Sequence, residues 1–168
     1  MYYFLYEDTI VNFDMHQEVI RVLFRKTEIT KINKIIKKCQ LENLVLKDFS
    51  FLETLPNLKT LLLVNCNLSL FPSEIKSLSK LEILNLDKNK IVSFPNWFSD
   101  LSHIKRLILS NNLLEEIYFG PNNKSINLLN LENCQLKIIP ETISYLSKLR
   151  VLKLKKNKIQ ILPKALSK

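Results

Sequence analysis

The chain has 168 residues, within the range of one domain, and 46% of them are apolar, enough for a continuous core. A single glycine disfavours a glycine-rich phosphate loop or a fold built on many glycine turns. The formal charge of +9 would attract acidic proteins, anionic lipid or nucleic acid.

Residues 1–18 carry Glu7, Asp8, Asp14 and Glu18 with no Lys or Arg, and they begin with Tyr2, Tyr3, Phe4 and Tyr6. This composition departs from the rest of the chain and reads as an N-terminal capping segment, either a strand or an extra partial repeat. Met1–Leu5 is apolar, but Glu7 and Asp8 follow at once and no basic stretch precedes it, so no secretory signal is read here. The apolar runs are far shorter than a membrane span. An intracellular, cytoplasmic location is therefore expected, with no integral membrane association.

From residue 19 a frame of apolar residues recurs. It is clearest in Leu81, Leu84, Leu86, Asn89 and Ile91, which read L-x-x-L-x-L-x-x-N-x-I. Seven copies start at Val19, Leu41, Leu58, Leu81, Ile104, Ile126 and Leu149, with spacings of 22, 17, 23, 23, 22 and 23. The first two copies keep the apolar spacing but lack the asparagine. The L-x-L step has period two, so both leucines of a short strand face one side. The next polar position falls where the chain turns. There Asn89, Asn112 and Asn157 are expected to satisfy the backbone groups that the turn exposes, with Cys66 and Cys134 filling the same slot. The second half of each copy has Phe71-Pro72, Phe94-Pro95, Ile139-Pro140 or Leu162-Pro163, followed three residues on by Ile75, Phe98, Ile143 or Leu166. That spacing suits a short helix or 3₁₀ turn begun by proline. Two copies depart from it. The copy at Leu41 has room only for a tight loop through Thr54–Asn57, and the copy at Ile104 carries the turn signal Gly120-Pro121-Asn122-Asn123.

The pattern over residues 19–168 resembles the leucine-rich repeat family, in its L-P-x-x-I form. The resemblance implies an α/β repeat solenoid: a short right-handed horseshoe with a parallel β-sheet on the concave face and loops, 3₁₀ turns or short helices on the convex face. In such a horseshoe the x positions line the concave face. One column would run Arg21, Asn43, Thr60, Ile83, Arg106, Leu128, Val151, and the next Leu23, Val45, Leu62, Asn85, Ile108, Asn130, Lys153. A third would run Arg25, Lys47, Val64, Asp87, Ser110, Glu132, Lys155. Leu23, Val45, Leu62, Val64, Ile83, Ile108, Leu128 and Val151 would form an aliphatic patch, with Arg106 and Lys153 steering a partner. The family resemblance implies a non-enzymatic module that binds another protein; the basic charge reads first as the solvated face of a lysine-rich protein and second as a match for an acidic partner.

Three other readings compete. Scattered exposed apolar residues are normal, and β-branched residues favour strands anyway. The thinly capped C-terminal edge would allow a self-associating structural module. The basic runs 25–38 and 148–168 would allow attachment to RNA or anionic membrane, although no aromatic residues alternate with the charges as a base-stacking platform requires. No constellation supplies a catalytic base, a nucleophile, a metal site or a cofactor cradle. His16 and His103 are isolated, and Glu115-Glu116 are adjacent side chains that need not converge. Cys66 and Cys134 lie three repeat steps apart, too far for a bridge, and read as reduced and buried; Cys39 falls outside the frame.

Overall fold

The computed structural model describes residues 2–6, 9–13 and 36–166. The first expected copy, 19–29, and its concave residue Leu23 lie outside the described residues. Six short parallel strands form one open sheet: β3 (Lys38–Glu42), β4 (Thr60–Val64), β5 (Ile83–Asn85), β6 (Arg106–Ile108), β7 (Leu128–Asn130) and β8 (Val151–Lys153). On the far side of β3, an antiparallel hairpin of β1 (Tyr2–Tyr6) and β2 (Thr9–Phe13) completes the sheet, with Phe4 opposite Cys39.

Period-two alternation sends one side of every strand inward. Leu61, Leu63, Leu84, Leu86, Leu107, Leu109, Leu129 and Leu131 are all 0% exposed, and they align strand to strand in two interior columns. The opposite wall is built from 3₁₀ turns at Ser50–Thr54, Ser73–Ser77, Asn96–Asp100, Asn123–Ser125, Glu141–Tyr145 and Lys164–Leu166. The role of the prolines is explicit. Each proline carbonyl accepts the amide three residues on, from Ile75 to Pro72, Phe98 to Pro95, Ile143 to Pro140 and Leu166 to Pro163. The turn thus closes and its apolar residue swings into the core, while the proline sits where a missing N–H costs nothing. Phe71, Phe94, Phe98 and Phe119 cluster along this wall with centroids 4.8–6.5 Å apart, edge-on except for the tilted pair Phe94–Phe98. Trp97 packs edge-on against Phe71, and the Lys76 ammonium lies 5.5 Å from its ring.

The second copy departs from its expected position. β3 pairs with β4 so that Cys39 faces Leu61 and Leu41 faces Leu63. The frame is therefore Ile36, Cys39, Leu41, Leu44 and Leu46, five residues earlier than Leu41 as a start. The interval to Leu58 becomes 22 residues, and the outer wall has a full 3₁₀ turn at Ser50–Thr54 in place of a tight loop. Burial decides between the frames: Ile36, Cys39 and Leu41 are buried, whereas Leu44 and Leu46, the strand leucines of the expected frame, are only half-buried. Cys39, with no role in the expected frame, is a strand leucine equivalent.

The copy at Ile104 is irregular outside. Its 3₁₀ turn is only Asn123–Ser125, and Asn123 is wholly buried. The Asn123 carboxamide accepts the Gly120 amide at 3.0 Å and donates to the Phe98 carbonyl at 3.2 Å, replacing the missing turn. Gly120 is required there by space, since a Cβ would fall 2.5 Å from the Ser99 Cβ.

Candidate protein-interaction face

Behind the strands, the turn residues form an interior ladder. The Asn89 Oδ1 accepts the amides of Cys66 and Leu68 at 2.9 and 3.1 Å, and its Nδ2 donates to the carbonyls of Leu63 and Leu86. Asn112 accepts the Ile91 amide and donates to Leu86 and Leu109. Asn157 accepts Cys134 and Leu136 and donates to Leu131 and Leu154. The Cys66 thiol reaches the Leu41 carbonyl at 3.4 Å, and the Cys134 thiol reaches the Leu109 carbonyl at 3.0 Å. Burial raises all three thiols above their ordinary range, that of Cys134 to about 11, so each is a neutral packing group.

With the ladder fixed, the alternate strand residues face the concave side. Ile83, Arg106, Leu128 and Val151 are direct cross-strand neighbours, with Thr60 preceding them. In the next column Leu62, Asn85, Ile108, Asn130 and Lys153 align. Leu62, Ile83, Ile108 and Leu128 are half-buried; Arg106 and Lys153 are exposed, and Val151 is 40% exposed. From β4 to β7 the aliphatic residues fall in alternate columns, Leu62, Ile83, Ile108 and Leu128, so they step diagonally from strand to strand rather than filling a continuous band. Val45 is a correction: Gln40 stands opposite Leu62, and Val45 lies beyond the strand. Asn43 and Lys47 leave their expected columns for the same reason.

The end of the strands carries a second row that the sequence reading missed. Asn43, Asn65, Lys88, Asn111, Asn133 and Lys156 all have φ between 53° and 59°, one per repeat. Asparagine tolerates this left-handed turn better than most residues. Its amides also link successive repeats: Asn65 donates to Asn43 at 2.6 Å, Asn111 to Asp87 at 2.8 Å and Asn133 to Asn111 at 3.0 Å. The 22- to 23-residue recurrence of Asn just before the ladder position was the available signal. The neighbouring inner row is Glu42, Val64, Asp87, Ser110, Glu132 and Lys155, so these two rows together hold three carboxylates and three lysines.

The beginning of the strands has a different charge. Backbone hydrogen bonds align Lys37, Lys59, Glu82, Lys105, Asn127 and Arg150 in one row. Lys38, Thr60, Ile83, Arg106, Leu128 and Val151 lie inside it, and Asn57, Lys80, His103, Ser125 and Lys148 outside. Across these three rows stand eight cations and one carboxylate. Glu82 is held between Lys105 at 2.6 Å and Lys59 at 3.0 Å, and these two ammonium groups keep its carboxyl below the usual range.

Among the described residues no cluster of His, Cys, Asp or Glu is arranged to hold a metal ion, and no helix is long and apolar enough to cross a membrane.

Comparison with known proteins matches the same segments. Family models described as leucine rich repeat match residues 56–114 and 125–146. The chain is 39% identical over 79 residues to receptor like protein 27 of Arabidopsis thaliana, a match covering 45% of this chain and 10% of that protein. It is 31% identical over 96 residues to the human volume-regulated anion channel subunit LRRC8D, covering 55% of this chain and 11% of that one. The chain spans about a tenth of the length of these curated relatives. Among solved structures, an LRR protein of Leptospira interrogans superposes with a TM-score of 0.59 at 29% identity, over 82% of this chain and 42% of that one. The LRR ectodomain of the Arabidopsis membrane receptor kinase GASSHO1/SCHENGEN3, solved in complex with Casparian strip integrity factor 2, gives 0.64 at 25% identity, over 76% of this chain and 16% of that one. The aligned strand leucines, the Asn/Cys ladder, the proline-closed turns and these matches identify the chain as a leucine-rich repeat protein.

Proposed function

We propose that the concave face binds another protein without catalysing a reaction. Leucine-rich repeats serve generally in protein–protein interaction, and the fold by itself names no partner. The supporting observation is the aliphatic diagonal Leu62, Ile83, Ile108 and Leu128. The interior is filled by the other side of the strands, so the fold has no need of these side chains on its outer side. They supply area to be desolvated, and Arg106 and Lys153 orient the partner. The test is affinity capture from the native source with the wild type beside a Leu62→Glu/Ile108→Glu variant. Selective loss of captured proteins is expected; equal recovery of all of them would overturn the reading.

We retain the intracellular location as a proposal, supported by three buried free thiols, which suit a reducing compartment. The triplet Asn67-Leu68-Ser69 matches the N-glycosylation acceptor pattern and Asn67 is exposed, so a glycan there in protein from the native source would overturn the proposal.

A further inference from the structure

We propose that the edge formed by the beginnings of the strands is a docking ridge for an extended acidic polypeptide segment, lying beside the concave aliphatic diagonal and sharing with it the row of Ile83, Arg106 and Leu128. The basis is the sorting of charge that folding produces. Residues scattered from 37 to 150 converge on three adjacent rows with eight cations and one carboxylate, while three surface rows at the other end of the same strands, with Lys90 and Lys158 counted, hold five cations and three carboxylates. A lysine-rich composition alone places cations on both edges. The single carboxylate is already occupied by Lys59 and Lys105, so it does not neutralise the outer cations.

The dimensions suit an extended chain. Six strands at about 4.8 Å spacing set the row at about 24 Å, the length of roughly seven extended residues. In the middle row cations stand just before β3, β4, β6 and β8, with Glu82 and Asn127 before β5 and β7, so a run of Asp or Glu meets cations at both ends of the row and on either side of Glu82. The three rows contain no Phe, Tyr or Trp to stack on bases, which argues against a single-stranded nucleic acid. Their outermost row, Asn57, Lys80, His103, Ser125 and Lys148, has no apolar side chain to enter a bilayer. Carboxylates at peptide spacing remain as the matching chemistry.

The test uses fluorescence anisotropy with a labelled ten-residue oligoglutamate and the full chain at low salt. The ridge variant is Lys80→Glu/Lys148→Glu/Arg150→Glu, and the control is Lys90→Glu/Lys155→Glu/Lys158→Glu, which has the same net charge. Thermal melts confirm that both fold. Binding is expected to weaken about tenfold or more in the ridge variant and less than about twofold in the control. Equal losses would show a net-charge effect and overturn the ridge. So would failure of the wild type to bind, or tighter binding of a ten-nucleotide oligouridylate or of phosphatidylserine vesicles.

Discussion

The repeat at Ile104 and the repeat at Leu149 obey the same frame, yet they differ in what their side chains do. Leu107, Leu109 and Asn112 are at most 2% exposed, whereas Leu152, Leu154 and Asn157 at matching positions are half-buried. Sequence pattern chooses the face that points inward; a neighbour on each side makes that face dry. A single repeat cannot hide its own leucines, so the same residue type has a different energetic role in the middle of the array and at its edge.

This difference makes substitutions informative in pairs. Leu107→Ala opens a cavity among residues closed on both sides and is expected to cost about 2–5 kcal/mol in denaturant unfolding. Leu152→Ala, half in water already, is expected to cost clearly less; equal costs would break the comparison. Asn112→Ala leaves the buried Ile91 amide without its acceptor, while the Leu86 and Leu109 carbonyls keep Asn89 and the Cys134 thiol, and is expected to cost about 1–3 kcal/mol. Asn157→Ala is expected to cost less because Asn157 itself is half-exposed and water can take the place of its carboxamide, and amide exchange at Cys134 and Leu136 reads the difference.

Gly120→Ala tests the irregular outer wall. It forces the new methyl against Ser99, with an expected cost of about 1–3 kcal/mol in thermal unfolding. The double variant Gly120→Ala/Ser99→Gly removes the clash and is expected to recover part of that loss.

The smallest effect concerns Glu82. Its folded carboxyl titrates below its unfolded one because Lys105 and Lys59 flank it. The stability it lends is present above the unfolded value, about pH 4.3, and fades as pH falls through the lower folded one. Compared with wild type, Glu82→Gln should show a shallower loss of stability below about pH 4.3, and salt should shrink the gap. A gap that grows with salt contradicts this assignment.

From residue 58 onward the register was readable in the sequence, because L-x-L sets the face and the Asn or Cys that follows sets the phase. The second repeat was not. Leu41, Leu44 and Leu46 satisfy the apolar spacing in either of two frames, Cys39 does not look like a strand leucine, and no ladder asparagine breaks the tie. The interval of 17 residues was the warning. Most of the aliphatic diagonal could be read for the same reason that the register could, whereas Val45 inherited the frame error. The left-handed row and the sorted charges were hidden because each is spread over six repeats and becomes a surface only after coiling brings the copies side by side.

The ladder has a direction. Asn89 and Asn157 each reach back into the preceding coil, and the thiols of Cys66 and Cys134 do the same. Peeling the array from its far end therefore strips each coil of the clamp that its successor provided. Under tension between the two ends, the solenoid should unzip from the β8 side, in steps of 22 or 23 residues, with each released coil weakening the next.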